Sequence, residues 1–255
     1  TTEELMFSPF VYGKDVNEQF AWIGLEQMNF TFTLDLTRGL SIQANQGTND
    51  QSINVTGVST VVNQANLIFE YFTPQCGIER PLSLAVPFAT YVRYQTTGPV
   101  VVAGQQNFPI VMQNIQLNSL PAYLLVFAGR ADFSRTSFMT DAVFPITSAN
   151  GVGSPLSVQF DNNPGFYTTT TPQQIYLQAV KSGLKMSWTQ WSQHLGSVIM
   201  ISFKGGDIGL SDLQASSLSG NYNLQIQCRF DNNFPDQSIQ SVMNVIAVYD
   251  GVLNI

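Results

Sequence analysis

Residues 28–36, MNFTFTLDL, alternate without a break. Met28, Phe30, Phe32, Leu34 and Leu36 fall on one side of an extended chain, and Asn29, Thr31, Thr33 and Asp35 on the other. Successive side chains of a strand point to opposite faces, so the pattern predicts a half-buried β-strand. Residues 222–230 repeat it, with Tyr222, Leu224, Ile226, Cys228 and Phe230 inward and Asn223, Gln225, Gln227 and Arg229 outward. Further strands are expected over 52–62, 66–72, 86–96, 108–117, 122–128, 156–160, 197–203 and 240–249. The apolar runs AYLLVFAG (122–129) and SVIMISF (197–203) read as strands buried on both faces.

Turn residues punctuate these runs: TTGP at 96–99, SANGVGSP at 148–155, DNNPG at 161–165 and DNNFPD at 231–236. Short strands at such spacing indicate an all-β sandwich or barrel. No period of 20–50 residues repeats and no composition shift marks a linker, which points to one domain. One segment carries helical signals. In TTPQQIYLQAVKSG (170–183), Thr171 is placed to cap, Pro172 falls at the first helical position and Gln174 completes a capping box. Ile175 and Ala179 form the buried stripe, joined by Tyr176 and Val180. Lys181 sits in the last turn and Gly183 terminates it.

Composition narrows the picture. The chain has 255 residues, 44% hydrophobic and 12% aromatic, enough for a sizeable core. Only 11% are charged, against ~25% in an ordinary soluble domain. The surface is therefore built from Asn, Gln, Ser and Thr, whose neutral groups lose less on desolvation than ions do. That suits a protein bounded by neighbours, since the cores of interfaces are depleted of charge. Ten Lys and Arg against seventeen Asp and Glu give a net charge of −7, which argues against sequence-wide attraction to nucleic acid. Two cysteines, Cys76 and Cys228, make no disulfide framework and fit a reducing compartment. Cys228 reads as a small core hydrophobe. The sequons at Asn29 and Asn54 are taken as accidental, and no run of eighteen apolar residues occurs to span a membrane.

The chemistry-bearing residues are sparse. His194, the single histidine, lies in KMSWTQWSQHLG (185–196) beside Ser187, Ser192, Trp188 and Trp191. A Ser-His-Asp site needs this base, yet no G-x-S-x-G elbow surrounds any serine. Two cysteines and one histidine at scattered positions are a poor supply of zinc ligands. No calcium loop of the D-x-D-x-D-G type occurs. GGDIGL (205–210) lacks the Gly-Lys-Ser/Thr of a phosphate loop and reads as a turn. No acidic pair stands out as a glycosidase site. Trp188 and Trp191 would share a face in a helical turn and oppose each other in an extended one. They read either as plugs beside the 171–183 helix or as a platform for a sugar or base.

Four ordered pieces carry a family resemblance: IGLEQMNFTFTLDLTRGLS (23–41), NIQLNSLPAYLLVFAGR (114–130), KMSWTQWS (185–192) and GDIGLSDLQASSLSGNYNLQIQCRF (206–230). Together they resemble the C-terminal jelly roll of double jelly-roll major capsid proteins of virophages, Polinton-like elements and related eukaryotic DNA viruses. TTEELMFSPFVYG at the start is similar to the segment that joins the two jelly rolls of that family. Gly39-Leu40 and the Ser-rich ASSLSG (215–220) depart from the family's aromatic position and Pro-Gly turn.

The resemblance implies an all-β fold: a jelly-roll β-sandwich of two antiparallel four-stranded sheets, with the short helix near 171–183. It divides the chain into a linker over 1–20 and a single jelly roll over 21–255. It implies a structural capsid protein without catalytic residues, cofactor or metal, building trimeric pseudo-hexagonal capsomers of an icosahedral virion shell. Its partners would be a homotrimer, neighbouring capsomers and minor capsid (penton) proteins, with no direct nucleic-acid readout. It would be made in the host cytoplasm or virus factory. Thr171, Pro172, Gly183, Trp188 and Trp191 would then be packing residues that seat the helix on the sandwich. Loops 129–155 and 161–172 are the expected points of contact with neighbours. Two alternatives stay open: a lectin-like carbohydrate-binding jelly roll and a scaffold protein shed during virion assembly.

Overall fold

A computed structural model describes residues 85–131, 143–147, 154–161, 163–194, 196–203, 219–232 and 238–254, with isolated residues 29, 31, 66 and 68. The strands expected over 28–36, 52–62 and 66–72 lie outside the described residues, those four positions apart. The elements are β1 (Ala85–Val101), β2 (Phe108–Ser119), β3 (Tyr123–Arg130), β4 (Leu156–Phe160), β5 (Asn163–Phe166), α1 (Pro172–Lys181), β6 (Ile199–Ser202), β7 (Ser219–Phe230) and β8 (Ile239–Asn254).

The strands form two four-stranded sheets, β1-β8-β3-β6 and β2-β7-β4-β5, and every pairing is antiparallel. First pairs with last, second with seventh, third with sixth and fourth with fifth. This nested order is a long hairpin rolled into two facing sheets, the arrangement of a jelly roll.

Alternation puts one side of each strand in the shared core. β2 contributes Phe108, Ile110, Met112, Ile115 and Leu117, and β7 contributes Leu224, Ile226, Cys228 and Phe230, all buried. Between Met112 and Ile115 the register shifts, with Asn114 at φ 59°. That irregularity lets Met112 and Ile115, three apart, both face inward. Rings brace the core: Phe108 meets Phe144 edge-on at 5.3 Å, and Phe160 stacks on Tyr222 at 5.5 Å.

Several expectations are corrected. TTGP does not end the first strand. β1 runs through it to Val101 with a bulge between Thr97 and Val100. Pro99 is tolerated because β1 is an edge strand and the bulge spares it a ladder bond. A side chain at Gly98 would press on Ser241 Oγ at 2.5 Å, and Ser241 Oγ itself donates to Pro99 O at 2.6 Å. DNNPG is only partly a turn, because Asn163–Phe166 forms β5 against β4. The 129–155 connection does not project throughout. Within it Phe144, Pro145, Ile146 and Thr147 are buried, held by bridges Gly129–Val143 and Ile146–Phe230. β3 and β6 are not buried on both faces; each alternates buried with half-buried positions. β8 is the strand buried on both faces, from Val242 through Val245 and again at Ala247 and Val248.

Candidate functional site

The segment from Thr171 to Ser202 carries the chain from β5 to β6. Thr171 caps α1: its Oγ1 accepts from Gln174 N at 3.3 Å, and Gln174 Oε1 accepts from Thr171 N at 2.9 Å. Pro172 opens the helix, where its missing N–H costs nothing. At the other end Gly183 adopts φ 108°. Gly183 N donates to Val180 O at 3.0 Å and Leu184 N to Ala179 O at 2.9 Å, the paired bonds of a Schellman stop. Ile175 and Ala179 are the helix's buried residues.

A second cap follows at once. Gln190 N donates to Ser187 Oγ at 3.3 Å and Ser187 N to Gln190 Oε1 at 3.1 Å. This box starts a helical turn at Trp188 that widens into a π-turn over Gln190–His194. The S-x-x-Q pattern of Ser187-Trp-Thr-Gln190 is the sequence signal for it, and it is absent from the expectations above.

The turn puts both tryptophans on one side. Their ring centroids are 5.6 Å apart, and Tyr176 of α1 meets Trp188 at 5.3 Å and Trp191 at 5.5 Å. Trp191 is 0% exposed, and its Nε1 donates to Val198 O at 2.8 Å. Ser197 links this corner to the sandwich: its Oγ donates to Trp191 O at 3.1 Å and accepts from Ile146 N at 2.8 Å. Gly196 sits at φ 83°, and a Cβ there would lie 2.0 Å from Val143 O. The close approach of two backbones requires glycine.

Trp188 and Trp191 meet Tyr176 in one corner, while Thr171 and Pro172 sit at the start of α1 and Gly183 just past its end. His194 lies on the same turn. Among the described residues no three His, Cys, Asp or Glu cluster as metal ligands, and no helix is long and apolar enough to cross a membrane. The free thiol of Cys228 is buried in the core, and desolvation pushes its pKa far above the ordinary thiol value. With Trp191 enclosed and Trp188 packed on Tyr176, the indole faces are spent on one another. What the arrangement does chemically is to fill space and close hydrogen bonds.

Comparisons with known proteins agree on a class. Residues 88–251 match the family described as Major capsid protein V20 C-terminal domain. A Sputnik virophage protein described as capsid protein V20 is 24% identical over 275 residues, covering 98% of this chain and 45% of its own length. The fold is similar to a chain in the cryo-EM structure of the Sputnik virophage, with TM-score 0.61, 24% identity and coverage of 72% of this chain and 39% of that one. It is also similar to the mavirus major capsid protein, with TM-score 0.55, 13% identity and coverage of 69% and 40%. The chain therefore spans less than half the length of the relatives it matches.

Proposed function

The chain belongs to the major capsid protein V20 C-terminal domain family, and on that premise we propose that it is the C-terminal jelly roll of a major capsid subunit. Its role is structural, not enzymatic, and its place is the shell of a virion. One observation carries the reading: the family match over 88–251 coincides with a complete eight-stranded jelly roll over 85–254. The same coincidence supports starting the jelly roll at Ala85, with residues 21–84 upstream of it.

Subunit packing supplies the function. Val100 and Val102 after the β1 bulge are 61% and 57% exposed, and Leu177 on α1 is 62% exposed. Aliphatic positions on a surface with so few charges suit contacts with further subunits. The finer assembly we propose is a trimeric pseudo-hexagonal capsomer of an icosahedral shell, joined by penton proteins at the vertices. Within the subunit, the corner of Trp188 and Trp191, with Thr171 and Pro172 at the start of α1 and Gly183 past its end, fixes the seat of the helix.

Light scattering on the full-length parent subunit tests the assembly. The expected mass is three times that of the chain, with hexagonal tiles visible in micrographs. A strictly monomeric parent at micromolar concentration would overturn the capsid reading.

A further inference from the structure

The β2-β7-β4-β5 sheet turns its second face to water. Its outward positions include Val111, Gln113 and Gln116 on β2, Gln225 and Gln227 on β7, and Gln159 on β4. Register sets Val111 beside Gln227 and Gln159 beside Gln225, so the amides form one patch. Each of these positions is exposed or half-buried, Val111 at 38%. Among the described residues, the side chains of Gln113, Gln116, Gln225 and Gln227 make no hydrogen bond.

The patch is also nearly free of ions. Arg229 is the one charged residue among the described outward positions of β2, β7 and β4. Two carboxylates stand just beyond the strand ends, and both are engaged: Asp161 Oδ1 accepts from Asn223 N at 2.7 Å and Asp231 Oδ1 from Asn107 N at 2.8 Å. The outer face of the other sheet, by contrast, carries Asp250 beside Ala89. For a chain of net charge −7 this difference matters, because two such chains repel wherever carboxylates meet. A neutral amide both donates and accepts, so an amide surface matches another of its kind without desolvating an ion. A sugar would lack a ring to stack on, since no aromatic side chain occupies those outward positions.

We infer that the outer face of the β2-β7-β4-β5 sheet is a contact surface for a second copy of the subunit, held by amide pairing around Val111, an assignment that rests on the capsid reading above. From Pro109 to Asn118 the face is about 30 Å long, and three strands give it a width of about 15 Å. Roughly 450 Å² on each partner is about half of a standard interface. That area does not hold an isolated pair together. It suits one of several contacts made by a subunit surrounded by copies of itself.

Photo-crosslinking in the assembled full-length parent subunit tests this. p-Benzoylphenylalanine would replace Gln113 in one protein and Gln225 in another, with ordinary and ¹⁵N-labelled subunits mixed before assembly and crosslinked peptides mapped by mass spectrometry. The expected result is links between labelled and unlabelled subunits from both positions. A Gln225→Glu/Gln227→Glu variant keeps the shape of the face and gives it two carboxylates. It should assemble at least about tenfold less well at low salt, recover at high salt and keep the wild-type urea midpoint. Links confined to one subunit, no link from either position in an assembled parent, or a double variant that assembles like the wild type would each overturn the inference and leave the capsid reading standing. A strictly monomeric parent would overturn both.

Discussion

At the scale of single residues, Trp191 has the largest consequence. Among the described residues it is the largest fully buried side chain, packed by Tyr176 and Trp188 and anchored through Nε1 to Val198 O. Trp191→Ala would open a cavity between α1 and the sandwich and strand the Val198 carbonyl. The expected loss is about 3–5 kcal/mol of folding stability by urea denaturation. An unchanged midpoint would mean that the indole does not seat the helix. Its pairing with Trp188 needed a helical turn, and the sequence left open whether the segment was helical or extended. Gly196 is the complementary case: nothing in SQHLGS announces that Val143, fifty-three positions earlier, passes within contact of its Cα hydrogens.

At the scale of elements, local signals were legible where the physics is local. The helix over 172–181 follows from a cap, a proline and a terminal glycine, all of which act on backbone groups a few residues away. Ser187 obeys the same rule for the π-turn, though a five-residue turn has no apolar period to draw the eye. Ser187→Ala should cost about 1 kcal/mol, with Ser187→Thr retaining most of it, again read from urea midpoints. An equal loss for both variants would mean that the hydroxyl's cap is not what matters. Strand ends were less legible. NPGF alternates nothing, and β5 exists because β4 offers it partners at Val158 and Phe160. β1 outran its apparent stop because an edge strand with a bulge absorbs Gly98-Pro99 without losing the ladder on its other side.

For the whole molecule, the nested pairing makes first and last strands neighbours, so the fold closes only when both ends are in place. Cys228 reports on that closure. It lies two residues from the end of β7 at 0% exposure, and burial keeps it a neutral thiol, which is a poor nucleophile. The Cys228 peptide should stay unlabelled by iodoacetamide in the native chain at pH 8 and label readily in urea, as expected for a residue exposed by global opening. Rapid native labelling would show that the sandwich opens locally at β7.

Most of the described strands and the helix were legible in the sequence itself, because alternation and capping are properties of neighbouring residues. The order of strands, the burial of both faces of β8 and the gathering of Tyr176, Trp188 and Trp191 were decided only by the tertiary structure. Each depends on which distant segments meet, and no local preference records that.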